Sequence, residues 1–453
     1  MLRKNDIVDL EITGMTNEGN GVGRADGVAV FVPMSTVGDV IRCRIVKVMK
    51  SYCYGIVESI ITSSELRCEP DCSVYSKCGG CAFRHFSYEE EMRVKQEFVK
   101  ASLERIGKLR VDLDPMIGAD KIDRYRNKAQ YPLAEQDGKV VCGFYSARSH
   151  RVVPNLDCLL QPKIFSCIIA DCLDFINSEG LTVYDELSCK GLLRHIYLRR
   201  GEYTHETMLC FVVTSFEKAK KLEILAESLA EKYKDIKSIV LNENPGRTNV
   251  ILGKKLKTLA GSDTITDCMC GKTIEISPLS FYQVNTVQAE KLYAAATEYA
   301  QLSGSELLLD LYCGAGTIGL SMSEKAGKLI GVEVIPEAID NAKRNAAANG
   351  VDNAEFICGD AGKIAALLYE RGERPNVIIA DPARKGCTRD TLEFMAKMSP
   401  DRIVMVSCDH TTAARDCAVL EGLGYKAVRA RAVDLFPRSR HVETVVKLIR
   451  AGL

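Results

Sequence analysis

The sequence has no net charge: 60 Lys and Arg are matched by 60 Asp and Glu over 453 residues. Bulk attraction to a polyanion is therefore excluded, and any nucleic-acid surface has to be local. No window approaches the roughly 18 uninterrupted apolar residues that a spanning helix needs, so no transmembrane helix is expected. The first residues, Met1-Leu2-Arg3-Lys4-Asn5-Asp6, lack the apolar stretch of a secretory signal, so a cytoplasmic location is expected. There are no internal repeats and no low-complexity segments.

What is present in excess is cysteine, at 19 residues. In a long chain without an export signal these point to reduced thiols, metal ligands or catalytic groups rather than disulfides. The chain is too long for one core, and the pattern divides it in three. Residues 1–61 carry about five short β-runs punctuated by glycine, which suggests a small closed barrel of the oligonucleotide-binding kind. Residues 62–265 begin cysteine- and loop-rich. A charged amphipathic helix over 88–107 follows, ending at a glycine cap, and then an irregular α+β mixture. Residues 266–453 alternate strand and helix, which implies a Rossmann-like α/β domain with a parallel sheet.

Cys72, Cys78 and Cys81 stand as C-x5-C-x2-C around Gly79-Gly80, a spacing that lets several sulfurs face one centre. A fourth thiolate is needed. Cys158 is the best candidate and Cys68 competes with it. Four thiolates suit a structural zinc or an iron–sulfur cluster, and spacing does not separate the two.

The strand Glu306 to Tyr312 runs into Cys313-Gly314-Ala315-Gly316-Thr317-Ile318-Gly319, where glycines let a ligand approach the backbone. Alone this could bind a dinucleotide. Later strands end in Glu333, Asp360 and Asp381, placed respectively for ribose hydroxyls, an adenine amine and the ligand edge. A series of strand-tip acids suits S-adenosylmethionine better than a nicotinamide, although any one acid could merely cap a helix. Val404-Met405-Val406-Ser407-Cys408 then puts a sulfur at a strand tip before a helix, whose dipole favours a thiolate. Glu443 lies in a strand further on. Lys121, Arg124, Arg126, Lys128, Lys139, Arg148, Arg151, Arg194, Arg199 and Arg200, interleaved with Tyr125, Tyr131, Phe144 and Tyr145, offer the phosphate and stacking contacts that RNA requires.

Over nearly its whole length the chain resembles the RNA uracil-C5 methyltransferases, and specifically the iron–sulfur branch acting on bacterial 23S ribosomal RNA. The resemblance rests on the TRAM-type barrel and on C-x5-C-x2-C with a distant cysteine. It rests equally on Phe281-Tyr282-Gln283-Val284-Asn285, Asp310 to Gly316, Asp381-Pro382, Ser407-Cys408, and Phe436-Pro437 with His441-Val442-Glu443. It implies that Gln283, Glu333 and Asp381 hold S-adenosylmethionine over the Gly314–Gly316 loop, with Tyr312 and Asp360 beside it. It implies Cys408 as nucleophile and Glu443 as base. It also implies that Cys72, Cys78, Cys81 and Cys158 hold a [4Fe-4S] cluster that organises RNA binding. A monomer acting on 23S ribosomal RNA is the expectation. A tRNA-directed enzyme is the runner-up, and an RNA-binding module without activity is a further alternative. Two positions depart from the family: Ala383 stands where proline is usual, and Asp409-His410 where Asn-Pro is usual.

Overall fold

The computed structural model describes residues 2–452. Strands Ile7–Glu11, Gly14–Met15, Asn20–Ala25, Val28–Pro33, Val40–Val48 and Tyr52–Thr62 form one six-stranded sheet. Alternation builds it. In Val40–Val48, Ile41, Cys43 and Ile45 point inward to Leu10, Val30 and Val32, while Arg42 and Arg44 face out.

The middle of the chain forms a seven-stranded sheet in the order Val152–Pro154, Lys139–Tyr145, Lys128–Gln136, Leu193–Arg200, Thr207–Val213, Ile236–Glu243, Lys255–Gly261. Helices Lys163–Ser178 and Lys221–Lys232 cover one face through Phe165, Ile169, Leu222 and Leu225. Tyr197, Met208, Cys210 and Val240 project from the other face into a core shared with Leu292, Tyr293 and Leu308. The seven-stranded sheet is thereby packed against helix Thr286–Ala300 and strand Leu307–Leu311.

The C-terminal sheet has eight strands, in the order Ala354–Cys358, Lys328–Glu333, Leu307–Leu311, Val377–Ala380, Arg402–Ser407, Glu443–Arg450, Tyr425–Val433, Asp112–Ile117. The first five run parallel, and Glu443–Arg450 turns antiparallel to Arg402–Ser407.

Its last strand corrects the division at residue 265. Asp112–Ile117 pairs in parallel with Tyr425–Val433, so part of the middle segment belongs to this sheet. The preceding helix, Tyr88–Ala101, is capped by Ser87 and continues as a π-helical turn, Ser102–Ile106. Gly107 is not a left-handed cap, with φ −73°. A Cβ there would stand 2.9 Å from the Ala414 carbonyl oxygen, so close approach to helix His410–Gly422 is what requires glycine. The helix docks through buried Lys95, which reaches Glu91 at 2.6 Å, Asp434 at 2.8 Å and the Phe436 carbonyl at 3.1 Å. A buried ammonium is tolerable only with this degree of pairing.

Candidate active site

The glycine loop leaves strand Leu307–Leu311 through Tyr312 at φ 67°, Gly314 at φ 55° and Gly316 at φ 83°. A side chain on Gly314 would meet nothing within 4 Å, so the backbone there borders open space. Glu333 ties the loop to the next strand. One of its oxygens accepts from Gly314 N at 3.2 Å, and the other from Val334 N at 2.8 Å and Ile335 N at 3.0 Å. Asp310, which the motif reading did not assign, is buried, and burial raises its carboxyl to about 8. One oxygen accepts from Gly319 N at 2.9 Å, and Oδ1 has no partner among the described residues.

Gln283 reaches the same loop from outside the sheet. Its side chain lies near the Tyr293 hydroxyl, which is 3.1 Å from Thr317 Oγ1 at the start of the loop's helix. Of its neighbours, Tyr282 is buried and donates to Asp267 at 2.8 Å, while Phe281 is 64% exposed. The side chain of Tyr312 lies near Thr391 and Cys387, on the side of helix Arg389–Lys397. Asp360 is exposed and caps helix Ala361–Glu370 by accepting from Lys363 N at 3.1 Å. It stands at a strand end, as expected, with one oxygen already engaged.

The register of the sheet assembles the reactive groups. Ser407 pairs with Thr444 across the antiparallel strands, so Cys408, one residue on, stands opposite Glu443, one residue back. Ala380 pairs with Met405 on the other side, which brings Asp381 alongside. All three lie at the carboxyl edge, where open α/β sheets bind ligands. Cys408 is half-buried, and its thiol is pushed up to about 11 by burial and then by Glu443 and Asp381. Arg384 is the cation that opposes this. Glu443 is 4% exposed, and burial, together with Asp381, raises its carboxyl well above the usual range. Burial raises Asp381 as well. The edge thus carries two buried carboxyls and one guanidinium, that of Arg384.

The Asp409-His410 departure has a structural account. Burial acts to raise the Asp409 carboxyl, but bonds from Thr411 and Thr412 hold it below its ordinary value. It accepts from Thr411 N at 2.9 Å and Thr412 N at 3.1 Å, capping helix His410–Gly422. His410 is buried 2.7 Å from Ser102 Oγ and stacks on Phe98. The loop behind the nucleophile is thus anchored to the docked helix. For Ala383 in place of proline the structure offers no account.

A cleft of 850 Å³ runs from the barrel to this edge. Met34 and Tyr54 line its barrel end, while Arg384 and His441 line its catalytic end. Cys72, Cys78, Cys81 and Cys158 all face it, and Cys68 lies outside. Burial raises the thiols of Cys78, Cys81 and Cys158, and these three and Cys72 sense one another electrostatically. Gly79 lies against the strand Lys139–Tyr145, where a Cβ would come within 2.9 Å of Ala147 N. Among the described residues no group of three or more His, Cys, Asp or Glu is arranged to hold a single metal ion.

The basic segment is smaller than its sequence suggests. Arg124 pairs with Asp157 at 2.6 Å, Lys121 with Glu202 at 2.8 Å and Arg200 with Asp235 at 3.0 Å. Arg194 and Arg199 are buried on main-chain carbonyls. Tyr125 and Tyr131 are core residues. Arg126, Lys128 and Arg148 do face the cleft. The barrel supplies aromatics that composition did not reveal. Phe31 and Tyr52 lie 5.2 Å apart and Tyr54 is 5.6 Å from Tyr52, all half-buried. Their alternation along adjacent strands was the available signal.

Among known proteins, the family model described as tRNA (Uracil-5-)-methyltransferase matches residues 273–451, and the TRAM domain model matches residues 3–57. An uncharacterized RNA methyltransferase of Clostridium tetani is 42% identical over 451 residues, spanning 100% of this chain and 98% of its own. Another from Halalkalibacterium halodurans is 42% identical over 448 residues, spanning 99% and 98%. The crystal structure of Pyrococcus abyssi tRNA (uracil-54, C5)-methyltransferase in complex with S-adenosyl-L-homocysteine has a TM-score of 0.78 at 27% identity. It covers 97% of this chain and 99% of that one. No helix among the described residues is long and apolar enough to cross a membrane. A TRAM barrel, a strand-edge cysteine opposite a buried glutamate, and these relatives lead to one conclusion: the chain belongs to the RNA uracil-C5 methyltransferase family, whose methyl donor is S-adenosylmethionine.

Proposed function

We propose that the protein methylates C5 of a uridine in 23S ribosomal RNA through a transient bond between Cys408 and C6 of the base. The observation that carries this reading is the opposition of Cys408 and Glu443 across the sheet, with Asp381 beside them. Uracil C5 is a weak nucleophile, and covalent addition at C6 corrects that. The Cys408 thiolate adds to C6, and the ring's electrons collect as an enolate over C5 and O4. C5 then takes the methyl group, and the carbon–sulfur bond of the donor breaks to leave S-adenosylhomocysteine. The Glu443 carboxylate removes the C5 proton. The C6–S bond breaks, restoring the ring double bond and the thiolate.

S-adenosylmethionine supplies an electrophilic methyl on a positive sulfonium. That charge suits the edge bearing Asp381 and Glu443, and Asp310 Oδ1 offers an unused acceptor. A cation there lowers the pKa values of the carboxyls and of the Cys408 thiol alike, so donor binding primes both groups. Arg384 acts in the same direction from the cleft side. The target base must leave its stack, at about a few kcal/mol. Phe31, Tyr52 and Tyr54 are placed to stack neighbouring bases.

The cysteine set supports the ribosomal branch. Four thiols lining one cleft supply the ligand number of a [4Fe-4S] cluster, held by Cys72, Cys78, Cys81 and Cys158. Its part here is to fix the cleft wall. Protein purified without oxygen is expected to be brown and to carry iron and acid-labile sulfide. Colourless protein holding only zinc would remove the cluster. A second reading, a tRNA target, is favoured by the likeness to the Pyrococcus abyssi enzyme. Release of tritium from C5-labelled uridine tests the chemistry. Mass-spectrometric mapping of 5-methyluridine in ribosomal and transfer RNA from cells lacking the gene separates the targets: loss in 23S RNA is expected, and loss confined to tRNA selects the second reading.

A further inference from the structure

Strand Lys128–Gln136 pairs antiparallel with Leu193–Arg200, and the register sets Lys128 opposite Arg199. Like charges opposed in a sheet repel. Water does little to screen them here, since Arg199 is 2% exposed and Lys128 half-buried. Arg199 Nη1 donates to the carbonyls of Ser277 and Ser280, each at 2.8 Å, and its Nη2 has no partner among the described residues. The Lys128 side chain makes no ion pair or hydrogen bond among the described residues, and Arg126, two residues earlier, adds a third positive charge nearby. Burial, then Arg199 and Arg126, lower the Lys128 ammonium to about 8.

This corner is part of the cleft. Arg126 and Lys128 both line it, and Arg126 acts electrostatically on His441, whose ring lies 3.4 Å from Arg384. Arg384 in turn is the cation beside Cys408. Asn127, between the two basic residues, donates to the Gln283 carbonyl at 2.8 Å, and its own N–H to the Val284 carbonyl at 2.8 Å. The corner and the donor-contacting segment are therefore bonded backbone to backbone.

Three clustered cations with no carboxylate partner among the described residues raise the energy of the empty cleft, and a bound anion offsets that. We propose that Arg126 and Lys128 hold a backbone phosphodiester of the RNA substrate adjoining the nucleotide presented to Cys408. This rests on the reading of the cleft as the RNA path. Phosphate contacts of this kind fix register without reading sequence.

The test is retention of a labelled ribosomal RNA transcript across a salt series, with wild-type protein, Lys128→Gln, Lys128→Arg and Lys232→Gln. Lys232 is exposed and paired with Asp171 at 2.6 Å, and serves as the control. Lys128→Gln is expected to weaken binding about tenfold at low salt and to flatten the slope of log affinity against log salt by about 0.7–1. Lys128→Arg restores both, and Lys232→Gln changes neither. Unaltered S-adenosylhomocysteine binding reports an intact fold; if Lys128→Gln lacks it, Arg126→Gln carries the same expectation. A wild-type salt slope in the folded glutamine variant, or a loss that arginine does not restore, overturns the phosphate site. Wild-type protein that binds no RNA overturns the underlying reading instead.

Discussion

Replacing Cys408 with alanine is expected to lower methyl transfer by more than about 10³-fold while S-adenosylmethionine still binds. The loss is large because no other group replaces the C6 bond. Asp381 and Glu443 lie beside the sulfur, but both are acids that burial drives toward the neutral form. The same chemistry fixes the pH dependence. Burial, Glu443 and Asp381 place the ligand-free thiol at about 11. Its thiolate is then roughly one part in ten thousand at pH 7. The group works deprotonated and its pKa lies above the assay range, so the rate should rise with pH, about tenfold per unit between about pH 6 and 8 while adduct formation limits. Saturating methyl donor should move that rise to lower pH, because the sulfonium opposes the two carboxyls. A variant that methylates normally removes Cys408 from the mechanism, and a pH-independent wild-type rate removes the thiolate step.

Replacing Glu443 with glutamine should leave addition and methyl transfer in place and slow proton removal by about 10²–10⁴-fold. The methylated base then stays bonded to Cys408, and a denaturing gel should show a slower protein–RNA band. The substitution removes no volume and spares the sheet register, so a folded protein is expected. The neutral amide also stops Glu443 raising the Cys408 thiol, so the adduct should form at lower pH than in the wild type. Methyl transfer at the normal rate with no shifted band would show that another group takes the C5 proton.

Local patterns were legible in the sequence, while groups brought together by register were not. The barrel strands, the glycine loop and the strand-end acids lie where alternation and glycine spacing put them, because each depends on neighbours a few residues away. Glu443 was different. As a sequence feature it is a glutamate in a strand, and only the antiparallel pairing of Ser407 with Thr444 turns it toward Cys408. Arg384 was hidden for the same reason, in a loop after Asp381 that folds back toward the nucleophile. The basic segment misled in the opposite direction. Arg194 and Arg199 look like RNA contacts until their carbonyl partners, at Asn244 and Gly246 and at Ser277 and Ser280, come into view about 50 to 80 residues later. Strand Asp112–Ile117 likewise joins a sheet whose next strand begins at Tyr425, a pairing that no local signal announces.

The sulfur–carbon bond is the centre of the account, and it can be caught in the unmodified protein. An RNA substrate carrying 5-fluorouridine at the target presents fluorine where the base would remove a proton, so after methyl transfer the adduct has no way to collapse. Digestion of the complex with protease and nuclease, followed by mass spectrometry, should give one peptide bearing a methylated fluorouridine on Cys408. Methylated fluorouridine RNA recovered free of protein, or a nucleotide attached to any other residue, would contradict the account.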